Sequence, residues 1–237
     1  MTDWLKDSSS NGNNLTSNNA SQNASGKMSQ CAECMNATDE GLNAPDQNYL
    51  DLTGDMTVEC WVKLTSFANT WSCVLTKGYG WNNPPGDFYR NYAIFLHNTG
   101  FVQFSFIDST DTLRSCYTST TPISTGSWIH IACVFDQDVG TKIYVNGTAQ
   151  AETADDTGGK TPQVNGSLLQ IGQEKTNGAN NMDGLVDEVR VSTGLRYTSN
   201  FTPQTTPFEN DATTVALYHF DTVEPTFGGL SDFMKFF

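Results

Sequence analysis

The sequence predicts an all-β fold, an antiparallel sandwich of two sheets in one large domain of 237 residues. From Tyr49 onward, short runs of β-branched and aromatic residues alternate with turn residues, as strands and their connections do. No segment keeps a helical hydrophobic period over three turns, which argues against a helical fold. Tight hairpin connections at 98–100 and 145–148 join consecutive runs, a feature typical of antiparallel sheets.

The first four predicted strands are rich in β-branched and aromatic residues, and polar turn residues bound them. Asn98-Thr-Gly100 is short enough to join the third and fourth strands as a hairpin. In order, these strands are Met56–Leu64, Trp71–Lys77, Tyr92–His97 and Phe101–Ile107.

Five further strands follow in the second half of the chain. The pair Asn146-Gly147 is the strongest short hairpin signal in the sequence and closes the second of these strands. Strands at this spacing indicate a sandwich whose two inner faces supply the core. The five are Trp128–Phe135, Thr141–Val145, Leu168–Ile171, Leu185–Val191 and Thr214–Phe220.

The strand that follows Asp183-Gly184 carries two neighbouring carboxylates. Its period of two predicts Leu185, Asp187 and Val189 on one side and Glu188 on the other. A carboxylate among apolar positions must be paired, hydrogen-bonded or bound to a metal, because burying it bare is too costly. The alternative is a carboxylate at the frayed start of the strand that backbone N–H groups satisfy.

The charge of the chain limits its partners. Twelve basic and twenty-six acidic residues give a net charge of −14, which argues against a nucleic-acid-binding surface. Acidic loops suit calcium, although the charge also serves solubility. No run of about eighteen apolar residues predicts a membrane span. The first seven residues lack the apolar region of a secretory signal, so we expect a removed leader or export by lysis or particle assembly.

Six cysteines allow fifteen pairings, and the sequence does not choose among them. Cys60 and Cys133 lie in apolar strand patterns, which predicts small buried residues. Cys31 and Cys34 form a lone C-x-x-C motif without a second pair or a nearby histidine, which argues against zinc or redox chemistry. Residues 8–30, which precede this motif, are almost wholly small and polar, a composition typical of a linker or of disorder.

Several motifs resemble one known family when they are read in order. They are Met56-Thr-Val-Glu-Cys-Trp-Val-Lys63, Gly126–Asp136, Ile143-Tyr-Val-Asn-Gly147, Leu169-Gln-Ile-Gly172 and Met182–Val191. Together they are similar to the laminin-G-like, concanavalin A-like jelly-roll family, over roughly Asp7 to Asp221. The stretches Arg196–Pro203 and Thr213–Asp221 resemble the variety seen in virion and cell-surface proteins of marine phages and microbes.

The resemblance implies a calcium site between an amino-terminal loop and the acidic strand. The loop reads Asp7-Ser-Ser-Ser-Asn-Gly-Asn13, with Ser10 where the family usually has glycine. Calcium takes six to eight oxygens from carboxylates, amides and carbonyls, which this loop supplies. The predicted ligands are Asp7, Asn11, Asn13 and Asp187, with Asp183 and Asp221 as further candidates.

The family also contains glycoside hydrolases, and the sequence argues against that activity. Retaining members resemble Glu-x-Asp-x-x-Glu on one strand, which puts two carboxylates on one face. Asp187 and Glu188 are adjacent and are therefore predicted to face opposite ways. No Gly-x-Ser-x-Gly, phosphate-loop or His-Glu-x-x-His motif is present. The resemblance and these absences predict a non-catalytic module.

Outside the hydrolases, the resemblance implies binding of glycans or cell-surface polysaccharide. Sugars stack on exposed aromatic rings, while amides and acids bind their hydroxyls. The loop 77–90 presents such groups among glycines and prolines, which predicts ligand contacts from Tyr79, Trp81, Asn82 and Tyr89. The alternative is that these rings fill the end of the sandwich or contact a neighbouring subunit.

The order of segments raises a third function, a structural subunit. In the family a strand like Leu217–Asp221 often precedes the amino-terminal loop, whereas here it lies at the far end of the chain. It either folds back beside its own amino end or joins a neighbouring copy, which would build a homo-oligomer or filament. We therefore predict a polar segment at 1–30 within the domain, a jelly roll at 31–221 and a docking tail at 222–237, at a cell surface, on a virion or elsewhere outside the cell.

Overall fold

The structure is a computed structural model that describes residues 3–79, 89–174 and 180–222. Three single-turn 3-10 helices interrupt its strands, at Asp3–Leu5, Asn36–Thr38 and Asn48–Leu50. The strands of the described residues, in chain order, are β1 Thr16–Asn18, β2 Ser21–Asn23, β3 Cys31–Cys34, β4 Gly41–Ala44, β5 Met56–Ser66, β6 Trp71–Tyr79, β7 Tyr89–His97, β8 Val102–Ile107, β9 Leu113–Thr118, β10 Ile129–Asp136, β11 Gly140–Val145, β12 Thr148–Ala149, β13 Glu152–Ala154, β14 Leu169–Ile171, β15 Asp183–Thr193 and β16 Thr214–Tyr218.

These strands form two eight-stranded antiparallel sheets. Sheet A has the order β1-β4-β14-β6-β7-β8-β9-β13, and sheet B has the order β12-β11-β10-β5-β15-β3-β2, with β16 also paired to β15. The core lies between the sheets, because alternate residues of each strand point inward, as Val58, Cys60 and Val62 do on β5. The predicted all-β two-sheet sandwich is therefore confirmed.

Both predicted hairpins form. Asn146 and Gly147 have φ values of 49° and 75°, the positive pair that a type I′ turn between β11 and β12 requires. A Cβ atom at Gly147 would lie 1.9 Å from the carbonyl oxygen of Phe201, so the turn also packs closely against the segment 194–213. That segment crosses the outer face of sheet B, where Tyr197 and Phe201 pack against Tyr144.

The sequence does not predict several of the observed strands. β1 and β2 lie inside the polar region 8–30, which is therefore ordered sheet and not a linker. β3, β4, β9, β12 and β13 are also absent from the predicted set. The edge strands β1 and β2 bury few side chains and gain much of their order from backbone pairing with a neighbour. β3, β4 and β9 lie inside the sheets but have only four to six residues, too few to show a clear period.

A β-bulge in β15 changes the predicted faces of the acidic strand. Asp187 pairs with Trp61 of β5 and Arg190 pairs with Glu59, so Glu188 and Val189 together oppose a single residue. Glu188 has a φ of +50°, a left-handed conformation that suits such a bulge. Val186 and Val189 both lie in the core, and the regular alternation predicted for Leu185, Asp187 and Val189 is therefore wrong.

The bulge also turns both carboxylates the same way. Asp187 accepts hydrogen bonds from the backbone of Lys27 and Met28, and Glu188 accepts one from the backbone of Phe208. Met28 and Phe208 pack in one cluster on the outer face of sheet B. The prediction that the two acids face opposite ways is wrong, and it no longer argues against catalysis. Both side chains are nonetheless fully buried under these segments, where no substrate reaches them.

The last described strand packs beside its own amino end. The backbone N–H of Ser8 donates to the carbonyl oxygen of Leu217 over 2.7 Å, and the hydroxyl of Tyr218 donates to the carbonyl oxygen of Asn13 over 2.9 Å. Farther along, Gln22 Nε2 donates to the carbonyl oxygen of Phe220 over 2.7 Å. In this single chain β16 therefore lies beside its own amino-terminal loop, which is one of the two arrangements open from the sequence. The described residues end at 222, so the predicted docking tail at 222–237 lies outside them except for its first residue.

All six cysteines are buried free thiols. Loss of solvation on burial raises the pKa of Cys31, Cys34 and Cys116 to about 12 and raises the others further. Because only the thiolate reacts readily, we expect no thiol to react with Ellman's reagent in the native protein and all six to react after denaturation without reductant. Rapid native labelling, or fewer than six thiols after unfolding, would contradict this burial.

Candidate functional site

A polar cavity opens on the outer face of sheet A. Leu42 and Leu169 point into the core, so the alternation of β4 and β14 turns Asn43 and Gln170 outward, away from it. The cavity has a volume of about 320 Å³. Its lining residues are Asn18, Asp39, Asn43, Leu168, Gln170, Gln173 and Glu174.

Side-chain amides in this cavity hold one another in place. Asn43 Oδ1 accepts hydrogen bonds from Gln170 Nε2 and from Gln173 Nε2, each over 2.9 Å. Asn18 Nδ2 donates to Gln173 Oε1 over 3.0 Å and to the carbonyl oxygen of Asp39 over 2.8 Å. Four amides on three strands and one loop therefore form a preorganised cluster, which lowers the entropy lost when a ligand binds.

A buried ion pair closes one side of the cavity. Glu174 Oε1 accepts a hydrogen bond from Arg90 Nη2 over 2.7 Å, and its Oε2 accepts one from Asn180 Nδ2 over 2.7 Å. Arg90 Nη1 also donates to the hydroxyl of Ser105 over 3.1 Å. Arg90 and Glu174 are 5% and 3% exposed, so charge-assisted hydrogen bonds fix this carboxylate at the cavity wall.

Two of the four predicted sugar-contacting residues, Tyr79 and Tyr89, lie at the ends of β6 and β7. Tyr79 and Tyr89 face each other across the ends of β6 and β7, with ring centroids 6.2 Å apart and both side chains partly exposed. The backbone N–H of Gly78 donates to the carbonyl oxygen of Leu168, a lining residue, over 3.0 Å. Trp81 and Asn82 lie outside the described residues.

The chemistry of the cavity suits hydroxyl groups. Each amide offers a carbonyl acceptor and two N–H donors, and a sugar hydroxyl both donates and accepts. The cavity volume falls at the lower end of the range of about 300–1,000 Å³ that is typical of small-molecule sites. The cavity can therefore hold a small polyhydroxylated ligand.

The sequence reasoning missed this amide cluster. Asn18 and Asn43 belong to β1 and β4, which composition does not predict. The sequence therefore does not show which way their side chains point. Gln170 stands between Leu169 and Ile171 of a predicted strand, and its period-two position was the available signal.

The predicted calcium loop is built around Asp7 as a hydrogen-bond acceptor. Asp7 Oδ1 accepts from the backbone N–H of Ser9 over 2.8 Å and of Leu217 over 3.0 Å. Asp7 Oδ2 accepts from the backbone N–H of Asn13 over 2.8 Å and from the Ser9 hydroxyl over 2.9 Å. The amide nitrogens of Asn11 and Asn13 donate to the carbonyl oxygens of Val215 and Pro45. The loop is thus ordered by contacts within the chain.

Asp187 has a separate set of partners. Its carboxylate accepts backbone hydrogen bonds from Lys27 over 2.7 Å, Met28 over 2.9 Å and Glu188 over 2.8 Å. Burial, joined by the neighbouring charge of Glu188, raises the pKa of Asp187 to about 7, against the opposing effect of these N–H groups. This matches the alternative open from the sequence, a carboxylate satisfied by backbone N–H groups.

The carboxylate oxygens of Asp7 and Asp187 already accept hydrogen bonds from the chain. Asp7 and Asp187 share no hydrogen-bond partner, and N–H or O–H donors already point at their oxygens, where a cation would have to bind. Within residues 3–79, 89–174 and 180–222, no group of three or more His, Cys, Asp or Glu side chains is arranged to hold a metal ion. The donor set as folded does not fit one shared site, and calcium stays a prediction.

Glu188 pairs with a histidine at the carboxyl end of the chain. His219 Nδ1 lies 2.8 Å from Glu188 Oε1, and this hydrogen bond, together with the charge of Glu188, raises the pKa of His219 against the opposing effect of burial. The backbone of Phe208 donates to Glu188 Oε2 over 2.7 Å. The pair therefore ties the segment after β16 to the bulge of β15, in a structural role.

Three solved structures show the same fold at low sequence identity. The binding domain of Paraclostridial Mosquitocidal Protein 1 has a TM-score of 0.60 and 16% identity, covering 85% of this chain and 48% of that one. Domain 4 of AbnA, an arabinanase of Geobacillus stearothermophilus in complex with arabinotriose, has a TM-score of 0.54 and 21% identity, covering 80% and 87%. The CBM40 of Ruminococcus gnavus IT-sialidase with α2,3-sialyllactose has a TM-score of 0.50 and 17% identity, covering 60% and 77%.

This chain spans about half the length of the mosquitocidal binding domain that it matches. No curated protein matches the sequence. In the part of the chain that the structure describes, no helix has the length and apolar character needed to cross a membrane.

A family model matches the amino-acid sequence directly. The family model Laminin_G_3, described as the concanavalin A-like lectin/glucanases superfamily, matches residues 36–199, well over half of the chain. The two antiparallel sheets and their inward core agree with that match. The chain therefore belongs to the concanavalin A-like lectin/glucanase superfamily.

Proposed function

We propose that this protein is a non-catalytic glycan-binding module whose site is the amide cavity of sheet A. The observation that carries the proposal is the cluster of Asn18, Asn43, Gln170 and Gln173, whose amides are fixed by mutual hydrogen bonds around a cavity of about 320 Å³. Amides that are already ordered lose little further conformational entropy when they bind sugar hydroxyls. Tyr79 and Tyr89, at the ends of β6 and β7, remain predicted ligand contacts.

Two further observations support a binding function. Similar solved structures include a domain in complex with arabinotriose and a carbohydrate-binding module with sialyllactose. The paired acids of β15, the strongest carboxylate pair that the sequence offered for hydrolysis, are fully buried. A glycan-binding module of this kind acts where glycans are displayed, so we place it outside the cell, at a cell surface or on a virion.

Replacing Asn43 with alanine tests the proposed site. The change removes the acceptor that orients Gln170 and Gln173, and each lost hydrogen bond is worth about 0.5–1.5 kcal/mol. We expect Asn43→Ala to weaken glycan binding by about tenfold or more, which corresponds to about 1.4 kcal/mol. A glycan array identifies the ligand, and isothermal titration calorimetry measures the change.

The matched control is Asn210→Ala, an exposed amide that donates to Ser10 at the surface. This variant should bind as the wild type does, and both variants should keep the wild-type melting temperature within a few degrees. Unchanged affinity of Asn43→Ala for the array ligand would place the site elsewhere. A full array without any bound glycan would reject the function.

A further inference from the structure

Lys77 is a fully buried lysine at a core-facing position of β6. It pairs in register with Leu169 of β14, whose side chain lies in the core, and cross-strand partners lie on the same side of a sheet. Lysine is almost never fully buried unless its charge is paired. The charged amine therefore needs acceptors from the chain around it.

Five oxygen atoms surround Lys77 Nζ. The nitrogen donates hydrogen bonds to Asp46 Oδ1 over 2.7 Å, to the carbonyl oxygen of Ser167 over 2.8 Å and to that of Asn165 over 2.9 Å. Asp51 Oδ1 lies 3.0 Å and Asn165 Oδ1 3.5 Å from the same nitrogen. The three short hydrogen bonds use all three N–H donors of an ammonium. We call these five oxygen atoms the oxygen cage.

Contacts that do not involve Lys77 hold the oxygen cage together. The backbone N–H of Ser167 donates to Asn165 Oδ1 over 3.0 Å, and the backbone N–H of Asn165 donates to Asp51 Oδ1 over 3.4 Å. Ser167 and Asp46 lie just outside β14 and β4, which pair with each other. We therefore expect the cage to keep its shape when the amine is removed.

The chemistry of the oxygen cage is that of a cation site, and its dimensions suit an ammonium. Carboxylates and carbonyls are the oxygen ligands that hard cations take. Calcium binds such oxygens at about 2.3–2.6 Å. Four of the five cage atoms lie 2.7, 2.8, 2.9 and 3.0 Å from Nζ, which are the distances that a charged N–H donor makes with oxygen.

We propose that the oxygen cage is a binding site for an ammonium group, and that Lys77 fills it as a cation built into the chain. The amine joins the segments 45–51 and 163–168 through carboxylates and carbonyls, as a bound cation does in a metal-stabilised domain. When Lys77 is shortened, the vacated cage takes a free alkylammonium ion from solution. The site shares no oxygen with the predicted calcium ligands and does not depend on the proposed glycan-binding function.

The oxygen cage also borders the strands of the amide cavity. Asn43 of β4 and Gln170 of β14 are a cross-strand pair in that cavity. Asp46 lies three residues after Asn43, and Ser167 lies three residues before Gln170. An ammonium between Asp46 and Ser167 fixes the spacing of the two strands at this end. We therefore expect the cage to position both amides, a consequence that rests on the proposed function.

Lys77→Ala with added n-propylammonium tests the site. The substitution removes three methylene groups and the amine, which together have the size of n-propylammonium. The Asp46 side chain is 34% exposed, so solvent reaches the cage on that side. We expect the melting temperature to fall by about 6–10 °C, because two carboxylates lose their counter-charge. n-Propylammonium chloride should restore most of that fall, since a ligand that binds only the native state stabilises it.

Lys77→Met is the matched control. It removes the charge while its side chain still occupies the path to the cage, so it should lose similar stability and gain nothing from n-propylammonium. The wild type should also be unaffected, because Lys77 already fills the cage. Sodium chloride at equal ionic strength and neutral 1-propanol should restore neither variant, which separates binding in the cage from a general effect of salt or solvent.

A measurement on the wild type does not depend on whether the variants fold. In protein labelled with ¹³C,¹⁵N-lysine, the Nζ resonance of Lys77, assigned through its own side-chain carbons, should be that of an ammonium near neutral pH. Its protons should exchange slowly with water, because three hydrogen bonds hold them. A neutral amine, or protons that exchange as fast as those of an exposed lysine, contradicts the cage.

The outcomes separate this inference from the proposed function. Lack of rescue in folded Lys77→Ala, or equal rescue by sodium chloride or 1-propanol, overturns the site. Stronger rescue by calcium chloride than by n-propylammonium makes the cage a metal site and overturns its preference for an ammonium.

Glycan affinity is measured in parallel, at a temperature where Lys77→Met is folded, and we expect it to fall several-fold. Unchanged affinity overturns the link between the cage and the cavity and leaves the cage itself. Absence of glycan binding in the wild type defeats the proposed function and leaves the melting results unaffected.

Discussion

Replacing Glu59 with glutamine is expected to lower the free energy of unfolding by about 3–5 kcal/mol, because it leaves a buried arginine without its counter-charge. Glu59 is fully buried on the outer face of sheet B, where its Oε1 accepts hydrogen bonds from Arg190 over 2.8 Å and 2.7 Å. Its Oε2 accepts one from the hydroxyl of Tyr197 over 2.8 Å and lies 3.3 Å from His130 Nε2. Urea unfolding measures the change.

The effect of Glu59 should depend on pH in a defined direction. Burial alone would raise the pKa of Glu59, but His130, whose Nε2 lies 3.3 Å away, and the charge of Arg190 lower it below the usual value of 4.5. A lowered pKa contributes stability above the pKa of the unfolded state, and that stability is lost as the pH falls through the folded value. The difference between wild type and Glu59→Gln should therefore be constant near neutral pH and shrink below about pH 4.5.

Glu33→Gln is the matched control for this prediction. Glu33 is a partly exposed acid of β3 in the same sheet, and its carboxylate accepts hydrogen bonds from Ser21 and Asn23 at the surface. We expect a loss of at most about 1 kcal/mol there. Equal losses for the two variants would show that the charge of Glu59 is not what holds Arg190.

Glu59 and its neighbours hold the segment 194–213 against the outer face of sheet B. Tyr197 belongs to the segment 194–213, so its hydrogen bond to Glu59 fastens that segment over the outer face of sheet B. The backbone N–H of Arg196 fastens the same segment to β5, because it donates to the Thr57 hydroxyl over 3.0 Å. The segment 194–213 therefore covers the part of the outer face of sheet B that lies around Glu59. The amide cavity opens on the other sheet, sheet A.

The long central strands could be predicted from the sequence because their order is local. Residues of β5 and β8 alternate regularly and have high β propensity, so period and composition agree. The Asn146-Gly147 turn was equally accessible, since it needs only two residues with positive φ. In contrast, β1 and β2 are polar, and what orders them is pairing with β4 and β3, which a single sequence does not display.

The faces of the acidic strand could not be predicted for a different reason. A period of two assumes that each residue of β15 opposes one residue of β5, and the bulge at Glu188 breaks that correspondence. The bulge involves a non-glycine residue with positive φ, which no turn motif in the sequence marks. The amide cavity shares this difficulty, because Asn18, Asn43 and Gln170 come from strands far apart in sequence. Only the sheet order brings them together.

Replacing Asp7 with asparagine is expected to destabilise the fold by about 3 kcal/mol, with the same loss in calcium and in a chelator. Asp7 is 2% exposed, and its carboxylate accepts four hydrogen bonds, from Ser9, Asn13 and Leu217. Hydrogen bonds to a charged acceptor are worth about 1.5–3 kcal/mol each and are not additive. The neutral amide keeps one acceptor and turns its NH₂ group toward the remaining donors.

The chelator experiment decides what the Asp7 loop does. A metal that binds only the native state must raise its stability, so a calcium site would make the wild-type melting temperature fall in excess EDTA. An unchanged melting temperature is what the hydrogen bonds around Asp7 and Asp187 favour, and a fall in EDTA would bear out the calcium site that the resemblance implies. Asp138→Asn, an exposed carboxylate, is the control and should change the free energy of unfolding by less than about 0.5 kcal/mol.

Asp7→Asn also tests whether β16 comes from the same chain or from a neighbouring copy. The backbone N–H of Leu217 donates to Asp7 over 3.0 Å, so Asp7 joins β16 to the amino-terminal loop. When both belong to one chain, Asp7→Asn lowers stability while the sedimentation coefficient of the native protein stays that of a monomer at every concentration. When the strand comes from a neighbouring copy, the wild type sediments as an assembly, and the variant dissociates as its stability falls. Since the loop and β16 meet within one chain here, we expect the first result, with unfolding transitions that do not depend on protein concentration.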